Sequence, residues 1–202
     1  AAFGLRQSLD SVGAFVGPLL AMACLLLWTS DLRAVMAWAV LPAWLAVAVL
    51  AIGVREPTVH HGAAQRPGLL TGWRGLPAAY WEVVGVGAVF TLARASEAFL
   101  ILRATDVGLA VAWVPAVLVV MNVAYAASAY PVGHLSDRLG PRRMLLAGMA
   151  VLIAADGVLA ASATVTGVLG GAALWGLHMG LTQGVLARMV ADTAPAALRG
   201  TA

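Results

Sequence analysis

Gly133-His134-Leu135-Ser136-Asp137-Arg138-Leu139-Gly140-Pro141-Arg142-Arg143 is the densest charge cluster in the chain, with three arginines and one aspartate in eleven residues. No charged residue lies between Asp106 and Asp137 on one side of it, or between Arg143 and Asp156 on the other. Two long apolar segments are thus joined by a basic, glycine-bounded turn. In a bilayer such a turn sits in water between two spanning helices, because unsatisfied backbone groups and charges are costly in hydrocarbon.

Composition extends that reading to the whole chain. Of 202 residues, 62% are hydrophobic and 10% charged, whereas soluble domains carry roughly 25% charged residues. A span needs about 20 mostly apolar residues, which leaves room for six helices with short connections. The fold class expected is an all-α membrane protein of six transmembrane helices. The net charge of +3 comes wholly from arginine. These arginines stand at segment ends rather than on one helical face, which favours topology over nucleic-acid binding. The single cysteine, Cys24, excludes an internal disulfide and reads as a packing residue.

The spacing Gly133-x-x-x-Asp137-Arg138-x-Gly140-x-Arg142-Arg143 resembles the cytoplasmic loop motif of the major facilitator superfamily, with Pro141 where a basic residue is usual. That motif joins the second and third helices of each six-helix half. Gly4, Gly13, Gly17 and Pro18 resemble the opening of a second family motif, found on the fifth helix and associated with antiporters. Its closing glycine pair is replaced by Ala21-Met22. Asp192-x-x-Pro195-x-x-x-Arg199-Gly200 resembles the loop between the tenth and eleventh helices. The resemblance implies helices five to ten of a twelve-helix transporter, an excerpt of a longer protein. Residues 1–54 would close the first half, 55–78 would be the cytoplasmic loop between halves, and 79–202 would hold four helices of the second half. It further implies a secondary transporter of small molecules, with protons as a coupling ion, no cofactor and no covalent chemistry.

Within the segments, physical chemistry singles out particular residues. Gly13 and Gly17 permit close helix approach and Pro18 bends the first segment. Arg94 and Glu97, three apart in the segment 80–102, are expected on one helix face as a pair. Intramembrane charge is expensive, so both are candidates for the substrate or proton pathway. Asp156, in the segment 142–162, is a second intramembrane acid, with Arg94 a plausible partner and Gly157 a site of close approach. In the segment 167–190, Gly176, Gly180 and Gly184 form a small-residue stripe. His178 points away from that stripe and is a candidate substrate contact or proton carrier, with Gln183 nearby. Asn122 and Tyr125 are expected to bond between helices. The family resemblance places Arg94, Glu97, His178 and Gln183 on cavity-lining helices.

The linker 55–78 carries His60 and His61 beside Glu56, an incomplete metal set, so no metal site is expected. Nine arginines fall on the side shared by the two chain ends: Arg6, Arg55, Arg66, Arg74, Arg138, Arg142, Arg143, Arg188 and Arg199. Two, Arg33 and Arg103, fall opposite. This places both ends in the cytoplasm and the chain in the cell membrane as a multi-pass protein, with the lipid bilayer as partner. A channel or scaffold is the alternative reading. An intramembrane enzyme is disfavoured: Ser136 beside His134 lies in a polar turn, and neither a Gly-x-Ser-x-Gly elbow nor a His-Glu-x-x-His motif occurs.

Overall fold

The computed structural model describes residues 2–53, 76–94 and 96–195, with side chains from residue 12 onward. The linker histidines His60 and His61, with Glu56 and the arginines at 55, 66 and 74, lie outside the described residues. So do Arg199 and Gly200, and of Gly4, Arg6 and Asp10 only the backbone is described. All regular structure among the described residues is helical: α1 Ala2–Leu27, α2 Leu32–Gly53, α3 Ala78–Ala93, α4 Ala98–Asp106, a 3-10 turn Val111–Trp113, α5 Pro115–Leu139, α6 Pro141–Ala161 and α7 Val165–Thr193. Among the described residues five stretches are long and apolar enough to cross a membrane, with α3 and α4 together forming one of them, and the part Val12–Leu27 of α1 is apolar as well.

α7 is the centre of the packing. Its residues Val168, Ala172, Trp175 and Met179 meet Leu100 and Ala104 of α4, Val117 and Met121 of α5, and Leu152 and Ala155 of α6. A second cluster joins Val132, Met144, Leu145, Leu181 and Val185 near the Gly140 end. Lipid tails are as apolar as leucine, so close packing rather than water exclusion holds such helices together. Two glycines of the stripe do this work. A Cβ at Gly176 would overlap the Met121 carbonyl oxygen, and one at Gly180 would overlap the Ser128 hydroxyl. Gly184 has open space beside it. α2 buries none of its residues against the described chain, which leaves its apolar surface for lipid or further protein.

Several local expectations change. The stretch from Gly133 to Leu139 is helical rather than a turn, so the connection between α5 and α6 is Gly140 alone. Gly140 has φ +83° and ψ 155°, a region essentially restricted to glycine, and Pro141 then begins α6 with its preset φ. The segment 80–102 is not one helix. It ends at Ala93, where Arg94 turns to extended φ/ψ, and restarts at Ala98. Arg94 and Glu97 therefore do not share a helix face, and no ion pair joins them among the described residues. Among the described residues nothing lies within 4 Å of a Cβ built at Gly13, Gly17 or Gly157. The close contact on α6 is instead at Gly148, where a Cβ would overlap the Thr182 methyl.

Connections elsewhere are tight. Thr164 caps α7 by accepting from the Gly167 amide at 3.2 Å. Arg103, paired with Asp106, donates to the Leu159 and Ser162 carbonyls at 3.1 and 2.7 Å, satisfying carbonyl groups at the C-terminus of α6. α1 packs along α5, where the Asn122 amide donates to Ala14 O at 3.4 Å. Asn122 thus makes the interhelical bond anticipated for it. The Trp28 and Trp38 rings meet edge to face, centroids 4.8 Å apart, across the connection between α1 and α2.

Candidate functional site

The break between α3 and α4 separates two cavities. The first, of about 240 Å³, is lined by Phe90, Thr91, Arg94, His178, Thr182, Gln183 and Leu186. Three residues singled out in the sequence, Arg94, His178 and Gln183, thus meet around one space, because the chain leaves α3 at Arg94 directly opposite the middle of α7. Glu97 and Asp156 do not line it.

His178 is 2% exposed, and its ring is fixed by α6. Nδ1 lies 2.8 Å from the Gly148 carbonyl oxygen. A carbonyl only accepts, so Nδ1 carries the hydrogen and the neutral ring keeps its lone pair on Nε2. Gly148 can present that carbonyl because, lacking a side chain, it lets α6 close onto Thr182. Thr182 in turn donates its hydroxyl to the His178 carbonyl at 2.9 Å. The sequence reading gave His178 its face but missed Gly148 and Thr182. The spacing of four between His178 and Thr182 is the only local signal for the latter.

The second cavity, of about 490 Å³, opens toward the Ser162 end and is lined by Phe99, Leu100, Arg103, Asp156, Leu159, Ala160 and Trp175. Asp156 therefore faces Arg103 and Trp175 rather than Arg94. Trp175 is 1% exposed, and its indole N–H has no acceptor among the described residues. A buried donor left unpaired costs about 1–3 kcal/mol, and such groups concentrate where a structure serves a function.

At the opposite end, the conspicuous basic run meets α7. Asp137 on α5 is paired with Arg188 on α7, and Arg188 Nε lies 3.6 Å from Asp192. Ser136, Asp137, Gly140, Pro141, Arg188, Met189 and Asp192 line a crevice of about 200 Å³ there. Arg188 figured in the sequence only as one cation in a topological count. Its spacing of four from Asp192 was the available signal for a local network. Arg138, Arg142 and Arg143 make no ion pair among the described residues, and Gly133 borders a separate cleft with Gly180 and Gly184.

Long apolar helices joined by short connections define a polytopic membrane protein. The profile of the Major Facilitator Superfamily matches residues 1–202, and the chain belongs to that family. An uncharacterised protein of Mycobacterium tuberculosis is 28% identical over 213 residues, covering 99% of this chain and 50% of the relative. A Mycobacterium bovis protein, also uncharacterised, matches to the same extent. An uncharacterised MFS-type transporter of Methanocaldococcus jannaschii is 26% identical over 155 residues, covering 74% of this chain and 38% of the relative. The chain thus spans half or less of the length of these relatives. No solved structure matches it.

Proposed function

We propose that the full-length protein is a secondary transporter that moves small molecules across the cell membrane by alternating access, with protons as the coupling ion and efflux as the direction. The observation that carries this reading is the cavity where Arg94, His178 and Gln183 meet beside a broken span. Charge at that depth is expensive unless it serves a pathway, and broken helices are a recurrent way to build a midplane site. Residues 1–54 act as the last helices of one half, 55–78 as the loop between halves, and 79–202 as the first four helices of the other. The Asn122–Ala14 contact of α5 with α1 then lies between the halves. Both chain ends face the cytoplasm, the side that the arginine asymmetry favours. The protein works without cofactor or covalent step. The partial antiporter motif of α1 supports exchange of substrate against protons.

Gating belongs to the Asp137–Arg188 pair, which bridges α5 and α7 at the cytoplasmic end and must be remade whenever those helix ends separate. The test is flux in proteoliposomes of the full-length protein, screened over drugs, sugars and organic ions. Saturable flux that follows an imposed pH gradient is expected. Flux that stays linear in substrate and ignores the gradient would replace this reading with a channel.

A further inference from the structure

The two cavities on either side of the α3–α4 break each hold one titratable side chain of the α6–α7 seam. Asp156 lines the cavity at the Ser162 end. His178 lines the cavity that holds Arg94 and Gln183. By helical rise, Asp156 stands about 12 Å along α6 from Gly148, the residue that holds the His178 ring. Trp175, one turn before His178 on α7, borders the Asp156 cavity and carries the unpartnered indole N–H.

We infer that Asp156 and His178 are successive stations of one proton path, Asp156 exchanging with the cavity at the Ser162 end and His178 with the cavity at Arg94. This rests on the proton-coupled reading above and assigns its carriers. Glu97 is thereby set aside, since it precedes α4 outside both cavities.

The surrounding charges fit the assignment. On α4, Arg103 is committed to Asp106 and to two carbonyls of α6, and among the described residues the Asp156 carboxylate has no ion pair. On the α3 side, Arg94 lines the same cavity as His178, and Asp156 is the one charged residue of α6 beyond Arg143. α5 meets α7 through Met121, Ala124, Tyr125 and Ser128 at the glycine stripe, away from the ring.

The steps conserve protons. A proton from the Ser162-end cavity converts the Asp156 carboxylate to the acid. Asp156 then gives it up, and the Nε2 lone pair of His178 takes it up, with Nδ1–H still held by the Gly148 carbonyl. The imidazolium, repelled by Arg94, then releases it from Nε2 into the second cavity. One proton crosses, and both side chains end as they began.

The test is a pH titration of the full-length protein in lipid, followed by infrared difference spectroscopy and needing no substrate. Wild type should show a carboxylic C=O band that Asp156→Asn removes and an imidazole band that His178→Asn removes. Asparagine keeps an amide donor for the Gly148 carbonyl, so the packing there survives. Because the stations are linked, each single variant should also move the midpoint of the remaining band. In a background with Cys24→Ala, pH-dependent labelling of Leu186→Cys by an impermeant maleimide should be lost in either variant and lost no further in the double. If either variant fails to fold, Asp156→Glu retains the acid and should show a displaced band. An Asp156 band absent from wild type, or one whose midpoint ignores His178→Asn, would overturn the proposal. Linked titration without gradient-driven flux would instead sink the proton-coupled reading and leave the linkage standing.

Discussion

Asp137 and Arg188 are 51 residues apart in the chain and form an ion pair that ties the last turn of α5 to the last turns of α7. Their side chains are 59% and 61% exposed, so water and salt screen the pair and its net contribution to stability is small. Its consequence is geometric, because it can persist only while the two helix ends stay together.

Arg188→Gln and Asp137→Asn are therefore expected to leave thermal unfolding in detergent nearly unchanged while lowering transport turnover by about tenfold, the range of a typical coupling energy. The exchanged pair Asp137→Arg with Arg188→Asp should recover much of the loss. Wild-type turnover in both single variants would remove the pair from the gate.

Gly140 is the whole connection between α5 and α6, in a backbone region that costs other residues about 1–3 kcal/mol. Gly140→Ala should lower stability by about that amount, whereas Gly133→Ala, in open space within α5, should be close to neutral. Equal melting temperatures for the two variants would contradict the assignment of the hinge.

Gly176 and Gly184 belong to one stripe in the sequence but meet different surroundings. A methyl at Gly176 would press on the Met121 backbone, which cannot rotate away, and one at Gly184 would meet nothing. Overpacking of this kind costs about 1–3 kcal/mol, so Gly176→Ala should unfold at clearly lower temperature than Gly184→Ala. A reversed or absent difference would mean that α5 and α7 do not pack as described.

The all-helical membrane class was legible because apolar segments of the required length are separated by short polar connections. The basic run announced the α5–α6 connection, yet its helical character through Leu139 was hidden, since Gly133 and Pro131 look like breakers until neighbouring helices fix the backbone. The break after Ala93 was equally hidden. Apolar composition continues across it, and Arg94 and Glu97 at a spacing of three mimic a helical pair. Grouping Arg94, His178 and Gln183 was within reach through the family resemblance. Placing Asp156 in a separate cavity with Trp175 was not, because that depends on how α6 crosses α7.

Thr182 tests how the His178 ring is held. Its methyl packs on Gly148 and its hydroxyl bonds the His178 carbonyl, so Thr182→Val should keep the packing and lose the bond, costing about 1 kcal/mol. Thr182→Gly should cost more and loosen the ring, visible as broadened histidine resonances in nitrogen NMR of labelled protein. Unchanged spectra in both variants would detach Thr182 from the site.

If the two cavities belong to one alternating pathway, their accessibility is reciprocal. With Cys24 replaced by alanine in the full-length protein, Leu186→Cys reports the Arg94–His178 cavity and Ala160→Cys the Asp156 cavity. Each is reacted with an impermeant maleimide from its own side, in proteoliposomes, across a range of pH. Conditions that raise labelling at one position should lower it at the other. Labelling that rises and falls together at both positions, or that never changes, would contradict it.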